Sequence, residues 1–123
     1  MWLPQVYKMN YEGKWTSLAL YAEGGQNNPF AFGKANESFK ETPILEHCPY
    51  FRSVIGTFEC QLISVRLLRL DAGAVIKPHQ DFKLGYEDDN FRIHIPIVTH
   101  DKIEFILDGE RLRMLAGECW YTN

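Results

Sequence analysis

The sequence predicts a mainly β protein of the sandwich, barrel or jelly-roll type, with one short helix. Three observations predict this class. From Cys60 onward the hydrophobic residues alternate with a period of two, which is typical of half-buried strands. Roughly five or six short strand candidates follow at intervals of about 8–12 residues. Turn sequences containing Gly and Asp separate them, as expected for an all-β architecture.

The composition is that of one globular domain. The chain has 123 residues, of which 46% are hydrophobic and 24% charged. A net charge of −3 without a basic stripe argues against a nucleic-acid partner, and no apolar run approaches the ~20 residues of a membrane span or resembles a signal peptide. The 3 cysteines have irregular spacing that favours neither a disulfide framework nor a zinc site. We therefore expect a cytoplasmic protein with buried free thiols, and the sequence leaves its oligomeric state open.

The first third of the chain predicts one long strand. Residues 1–10 have the mixed character of a short edge strand or an irregular lead-in, and the aromatic and β-branched side chains of residues 14–22 predict a strand. Residues 24–29 end it, because glycine and asparagine tolerate positive φ and proline donates no hydrogen bond. Residues 30–41 show no clean period and predict a long loop. Three phenylalanines are expected to hold this loop to the body: Phe30, Phe32 and Phe39.

The middle of the chain predicts a turn followed by the one substantial helix. Residues 42–49 contain two prolines and predict a turn-like stretch. Residues 50–58 predict an amphipathic helix of about two turns, because their apolar side chains recur at helical spacing. These apolar residues are Phe51, Val54, Ile55 and Phe58.

The second half predicts short strands joined by turns. Residues 63–70 and 75–81 are strand candidates on either side of a turn, with Pro78 favouring an edge or irregular position for the second. Residues 82–90 are polar and predict a loop that lines the mouth of a site together with residues 30–41. Residues 91–98 alternate strictly and predict a strand. The remaining elements are a hairpin of residues 102–107 and 110–115 around Asp108-Gly109 and a last strand at 118–122 after the Gly117 turn.

The pair His79-x-Asp81 is the first candidate for chemistry. In a strand, residues two apart point to the same face, so one imidazole and one carboxylate would converge on one point. Such a pair makes up two-thirds of the two-His-one-carboxylate face that binds non-heme Fe(II). The alternative interpretation is a polar pair beside the turn at Pro78.

Arg92 and His94 are the second candidate. They share one face of the predicted strand 91–98, opposite its isoleucines. If this face lines a polar cavity, the arginine can hold a carboxylate through two parallel hydrogen bonds and the histidine adds a donor. The alternative is an ordinary solvated face. Arg66 and Arg69 lie on opposite faces of strand 63–70, so one of them is expected to point inward.

Several motifs in a fixed order resemble the aspartyl/asparaginyl β-hydroxylase family of Fe(II)- and 2-oxoglutarate-dependent oxygenases. The resemblance covers most of the chain, and residues 66–123 are its specific part. The motifs are Tyr11-Glu12-Gly13-x-Trp15-x-x-Leu18, Arg69-Leu70-x-x-Gly73-x-x-Ile76-x-Pro78-His79-x-Asp81, Arg92-x-His94-x-Pro96-Ile97-x-Thr99, residues 105–110, and Met114-x-x-Gly117-Glu118-x-Trp120-Tyr121-x-Asn123.

The resemblance implies a fold, a reaction and a set of site residues. The family fold is a double-stranded β-helix, a form of jelly roll, and the family reaction hydroxylates an aspartyl or asparaginyl residue or a free amino acid. By resemblance, His79 and Asp81 are iron ligands, and Arg92 and His94 hold 2-oxoglutarate. Arg66 falls near an arginine that contacts the substrate carboxylate in related enzymes. The expected cofactors are Fe(II) and 2-oxoglutarate, and the expected partner is a small-molecule or peptide substrate.

One departure from the family pattern concerns the end of the chain. In the family, a second iron-binding histidine and another arginine for 2-oxoglutarate follow the Gly-Glu-x-Trp-Tyr-x-Asn segment, whereas this sequence ends at Asn123. Neither His47 nor His100 stands at a matching position. We therefore expect one jelly-roll domain over residues 1–123 that is incomplete at its C-terminus. Two alternatives stay open, a non-catalytic jelly-roll binding module and a cupin-type metal isomerase or sugar-binding barrel.

Overall fold

The structure, a computed structural model, describes residues 1–30, 38–81 and 85–122. It divides into two compact units, Met1–His79 and Gln80–Asn123. The regular structure of both units is mainly antiparallel strands, so the predicted mainly β class is confirmed. The double-stranded β-helix arrangement stays a prediction.

The first unit is organised around one central strand. This strand, β3 (Trp15–Glu23), pairs along one edge with β1 (Leu3–Pro4) and then with β4 (Phe39–Glu41). Its other edge pairs with β5 (Val65–Leu70), and all these pairs are antiparallel. The predicted edge strand near the N-terminus and the predicted strands 14–22 and 63–70 are therefore confirmed.

The core of the first unit lies on both sides of β3. The apolar core residues are Ala19, Leu20, Ala22, Phe39 and Leu45. Buried polar groups are paired close to them: Gln5 Nε2 donates to Ser17 Oγ at 2.7 Å, and the Thr42 hydroxyl donates to the carbonyl oxygen of Ala19 at 2.8 Å. Such pairing offsets the cost of removing polar groups from water.

Two short helices follow β4. Strand β4 and helix α1 (Pro43–Glu46) lie where a loop over residues 30–41 and a turn over 42–49 were predicted, so both predictions are wrong at these residues. Residues 31–37 of the predicted loop, with Phe32, lie outside the described residues. The amphipathic helix is confirmed as α2 (Pro49–Ile55). Both helices have proline in the first turn, where its missing N–H costs nothing and its fixed φ is already helical.

The strand that was expected to carry the His-x-Asp pair is much shorter than predicted. Strand β6 contains only Val75–Ile76 and pairs with β2 (Tyr11–Glu12). The Lys77 N–H still donates to the Asn10 carbonyl at 2.7 Å, and the ladder to β2 ends there. The prediction of a strand over 75–81 is wrong beyond Ile76, and His79 and Asp81 lie in irregular chain.

The second unit consists of two two-stranded ladders. Strand β7 (Ile93–His94) pairs with β10 (Trp120–Tyr121), and β8 (Phe105–Leu107) pairs with β9 (Glu110–Leu112). The predicted hairpin is confirmed, because Asp108 and Gly109 both have positive φ, as a tight two-residue turn requires.

The predicted strands 91–98 and 118–122 are reduced to two residues each. Pro96 has no N–H, which ends β7, although its carbonyl accepts the N–H of Gly117 at 2.8 Å. In the predicted loop 82–90, Tyr86–Asp88 form one 3-10 turn, and residues 82–84 lie outside the described part.

The second unit has no buried core within the part of the chain that the structure describes. Each of residues 85–122 is at least partly exposed, with Val98 at 90% and Ile106 at 61%. Its polar contacts are exposed, such as those of the Arg113 guanidinium, which donates to the His100 carbonyl and pairs with Asp101 at 2.6 Å.

The structure also bears on two further expectations, which concern the cysteines and a membrane span. The cysteines are free, as expected, but Cys60 and Cys119 are exposed and Cys48 is only partly buried, so the expectation of buried thiols is wrong. Among the described residues, no helix has the length and apolar character that crossing a membrane would require.

We predict that Thr42→Val destabilises the first unit. The buried Thr42 hydroxyl bonds the Ala19 carbonyl, and its loss should lower the free energy of unfolding by about 1–3 kcal/mol. Thr57→Val is the matched control, since the exposed Thr57 hydroxyl bonds the Val54 carbonyl at 2.7 Å and its loss should cost less than about 0.5 kcal/mol. Urea denaturation measures both, and equal losses would contradict a special role for the buried bond.

Candidate functional site

The predicted site residues are divided between the two units. Arg66 and His79 belong to the first unit, whereas Asp81, Arg92 and His94 belong to the second.

Asp81 and Arg92 form a direct ion pair in the second unit. Arg92 Nη1 lies 2.6 Å from Asp81 Oδ2, although the two residues are eleven positions apart. Their side chains are 35% and 43% exposed, so the pair contributes at most about 1 kcal/mol to folding. The predicted carboxylate ligand and the predicted cosubstrate arginine are therefore neighbours.

His94 is partly buried among aromatic side chains. It lies on β7 directly opposite Trp120 of β10, and its ring meets the ring of Phe105 edge-on, with centroids 6.2 Å apart. Residues directly opposite each other in an antiparallel pair have side chains on the same face. His94 is thus placed by β7, β8 and β10 together rather than by its own strand alone.

His79 is exposed, and its ring is oriented by the backbone. Nδ1 lies 2.8 Å from the carbonyl oxygen of Lys77. A carbonyl can only accept, so Nδ1 carries the proton, and in the neutral imidazole Nε2 then carries the lone pair. Metal-binding histidines commonly show this arrangement, in which one ring nitrogen donates to a carbonyl and the other coordinates.

Arg66 is partly buried on β5, and its guanidinium reaches across the first unit. Nη1 donates to the carbonyl oxygen of Pro29 at 3.1 Å. Arg69 differs from it, since its guanidinium stacks on the Trp2 ring at 4.8 Å and pairs with Asp71 at 3.3 Å. Of the two arginines, Arg66 is the more enclosed.

Glu118, the first residue of the predicted strand 118–122, makes contacts that the sequence did not predict. One oxygen, Oε2, accepts hydrogen bonds from the Leu115 N–H and from Trp120 Nε1, each at 2.8 Å. The Leu115 bond, and secondarily the Trp120 bond, lower the pKa of Glu118 below its usual value. The Glu118-x-Trp120 spacing, which places both side chains on one face, was the signal that could have indicated this contact.

The fit of these residues to a metal is incomplete. His79 has the tautomer of a metal ligand and Asp81 supplies a carboxylate, which are donors that Fe(II) accepts. Within residues 1–30, 38–81 and 85–122, however, no three His, Cys, Asp or Glu side chains are grouped so that they could hold a metal ion. The described residues therefore do not form a three-ligand iron site by themselves.

The comparisons with known proteins point to one family. A family model described as Aspartyl/Asparaginyl beta-hydroxylase matches residues 2–123. No curated protein and no solved structure gives a significant match.

We predict that Glu118 contributes to the acid sensitivity of the chain. Because its pKa is lower in the folded than in the unfolded state, its stabilising contribution is present above the ordinary value of 4.5 and is lost as the pH falls through the folded value. Glu118→Gln should therefore differ from the wild type in stability at neutral pH, and this difference should shrink in acid.

Urea denaturation between neutral pH and acid measures this difference. Glu110→Gln, which removes an exposed carboxylate from β9 of the same unit, is the control. A gap between wild type and Glu118→Gln that does not change with pH would contradict the assignment.

Proposed function

The chain belongs to the aspartyl/asparaginyl beta-hydroxylase family, and on that premise we propose that it is an Fe(II)- and 2-oxoglutarate-dependent dioxygenase. Its substrate would be an aspartyl or asparaginyl residue or a free amino acid. When bound, Fe(II) and 2-oxoglutarate supply the oxidising chemistry, and the protein supplies binding, orientation and electrostatics.

The contact between Asp81 and Arg92 is the observation that carries this proposal. It joins two side chains that have different roles in the family motifs. By these motifs, Asp81 binds the metal and Arg92 binds the carboxylate of the cosubstrate. Arg92 already accommodates a carboxylate in the structure, and the guanidinium is well suited to such a partner. A metal on Asp81 would compete with the arginine for that carboxylate and make the guanidinium available to 2-oxoglutarate.

The surroundings of the two histidines support the same proposal. The Nδ1 contact of His79 selects the tautomer that coordinates through Nε2. His94 is held near Trp120 and Phe105, where it can donate to or accept from a small acid. Arg66, anchored to Pro29, is proposed to meet the substrate carboxylate.

A second candidate function is a non-catalytic binding module of the same family. The observation that favours it is the lack of a group of three metal-binding side chains among the described residues. Such a module would bind a small acid or a peptide through its arginines without turning it over. Metal binding and succinate formation separate the two candidates.

We predict that His79→Ala weakens metal binding. Mn(II) is a redox-stable substitute for Fe(II), and the loss of one of the two proposed ligands should lower its affinity at least tenfold, since even indirect partners of a metal contribute about 10–100-fold. Isothermal titration calorimetry measures the affinity. His47→Ala is the control, because His47 is an exposed histidine outside the motifs; equal Mn(II) affinity of both variants would remove His79 from the site.

We predict that Arg92→Lys raises the KM for 2-oxoglutarate. Lysine keeps the charge but loses the two-pronged geometry that a carboxylate needs, so the KM should rise by about tenfold, equivalent to about 1.4 kcal/mol. Succinate formed from 2-oxoglutarate in the presence of Fe(II) and dioxygen is the readout. Arg111→Lys, an exposed change on β9, is the control. No succinate from the wild type despite Mn(II) binding would favour the non-catalytic module.

A further inference from the structure

The carboxylate of Glu118 connects a turn to the last strand of the second unit. The turn has Gly117 at a φ of 85°, and the Glu118 N–H donates back to the Leu115 carbonyl at 3.2 Å. The same Glu118 side chain accepts the Leu115 N–H and the Trp120 indole N–H on one oxygen. One carboxylate oxygen therefore determines both the shape of the turn and the orientation of the indole.

The indole that Glu118 holds is the cross-strand neighbour of His94. Trp120 and His94 are directly opposed in the β7–β10 pair, and such residues have Cβ atoms about 4.5–5.5 Å apart on the same face. Phe105 contacts the His94 ring from β8. Rotation of the Trp120 ring would therefore change the space in which the His94 imidazole lies.

The hydrogen bonds to Glu118 are of the strong, charge-assisted kind. An ionised carboxylate that accepts N–H donors forms shorter and stronger bonds than a neutral acceptor, and both donor distances are 2.8 Å. The lowered pKa of Glu118 agrees with a carboxylate that remains ionised around neutral pH. The bond to Glu118 therefore favours one orientation of the indole about its second side-chain torsion.

We propose that Glu118 is a positioning residue that fixes the Trp120 indole and thereby orients the His94 imidazole for 2-oxoglutarate. The proposal rests on the proposed function only for the identity of the ligand at His94. Its structural part, that His94 responds to Glu118 through Trp120, is independent of any ligand. A role of Glu118 confined to the turn would leave the His94 ring unaffected.

Three variants separate these roles. Glu118→Gln keeps an oxygen that can accept both N–H groups but removes the charge, Glu118→Ala removes the acceptor, and Trp120→Phe removes the indole donor while keeping an aromatic ring. Glu110→Ala removes an exposed carboxylate from the same unit and is the control. Should Glu118→Ala fail to fold, Trp120→Phe tests the same bond from the donor side.

The first readout is the NMR spectrum of the unliganded chain. Trp120→Phe identifies the Trp120 indole N–H among the three tryptophans. We expect this resonance to follow the titration of Glu118 in the wild type and to lose that response in Glu118→Gln. We expect the His94 ring resonances to shift in Glu118→Ala and Trp120→Phe, to shift less in Glu118→Gln, and to stay unchanged in Glu110→Ala. His94 resonances that stay unchanged in a folded Glu118→Ala or Trp120→Phe protein would overturn the proposal.

The second readout is the affinity for 2-oxoglutarate, measured by calorimetry with Mn(II) present. A residue that orients a ligand-binding group from behind typically contributes about 10–100-fold, so Glu118→Ala should weaken binding by about tenfold and Glu118→Gln should restore most of it. Unchanged affinity in Glu118→Ala would overturn the role in cosubstrate binding. If the wild type does not bind 2-oxoglutarate, the proposed function is overturned. This failure is distinguishable from failure of the positioning role, because the His94 resonances are measured without the ligand.

Discussion

The early end of strands β6 and β7 is the constraint on which the candidate site depends. Each strand contains only two residues and ends two residues before a proline, Pro78 or Pro96. The β2–β6 ladder therefore does not reach His79 and Asp81. His79 is oriented by the Lys77 carbonyl, and Asp81 is held by Arg92. Side-chain contacts take over the positioning that the sheet does not provide.

The two units differ in how they are stabilised, and this difference bears on function. The first unit has a buried core around β3, in which Gln5, Ser17 and Thr42 are hydrogen-bonded. The second unit, as far as the structure describes it, has no fully buried residue, and its regular structure consists of turns and short ladders. Because the side chains of Arg92 and Glu118 are at least partly exposed, their substitution leaves no buried cavity, which makes variants at these two positions informative about ligand binding.

Much of the local structure could be predicted from the sequence, and the errors have physical causes. Composition predicted β3, helical spacing predicted α2, and Asp108-Gly109 predicted the hairpin, because each signal is local. The strands at 75–81 and 91–98 were predicted too long. In residues 91–98 the apolar side chains alternate past Pro96, whereas the paired strand ends at His94. Helix α1 has four residues and gives no periodic signal.

The candidate site was predictable in part. The same-face argument for His79 and Asp81 requires a strand that includes both residues. Because the strand ends at Ile76, this argument does not apply. Asp81 and Arg92 are in contact, and no local pattern predicts a contact between residues eleven apart. Glu118 was missed because a carboxylate after glycine is typical of a turn, and its bond to Trp120 depends on the conformation of the side chains.

The measurement that tests the central claim most directly is the affinity for 2-oxoglutarate with and without Mn(II). If Asp81 binds the metal and Arg92 binds the cosubstrate, the metal competes with their ion pair and supplies a ligand for the 2-oxo acid. The account then predicts that Mn(II) tightens 2-oxoglutarate binding at least about tenfold, a coupling of about 1.4 kcal/mol. Identical affinities with and without Mn(II) would contradict it.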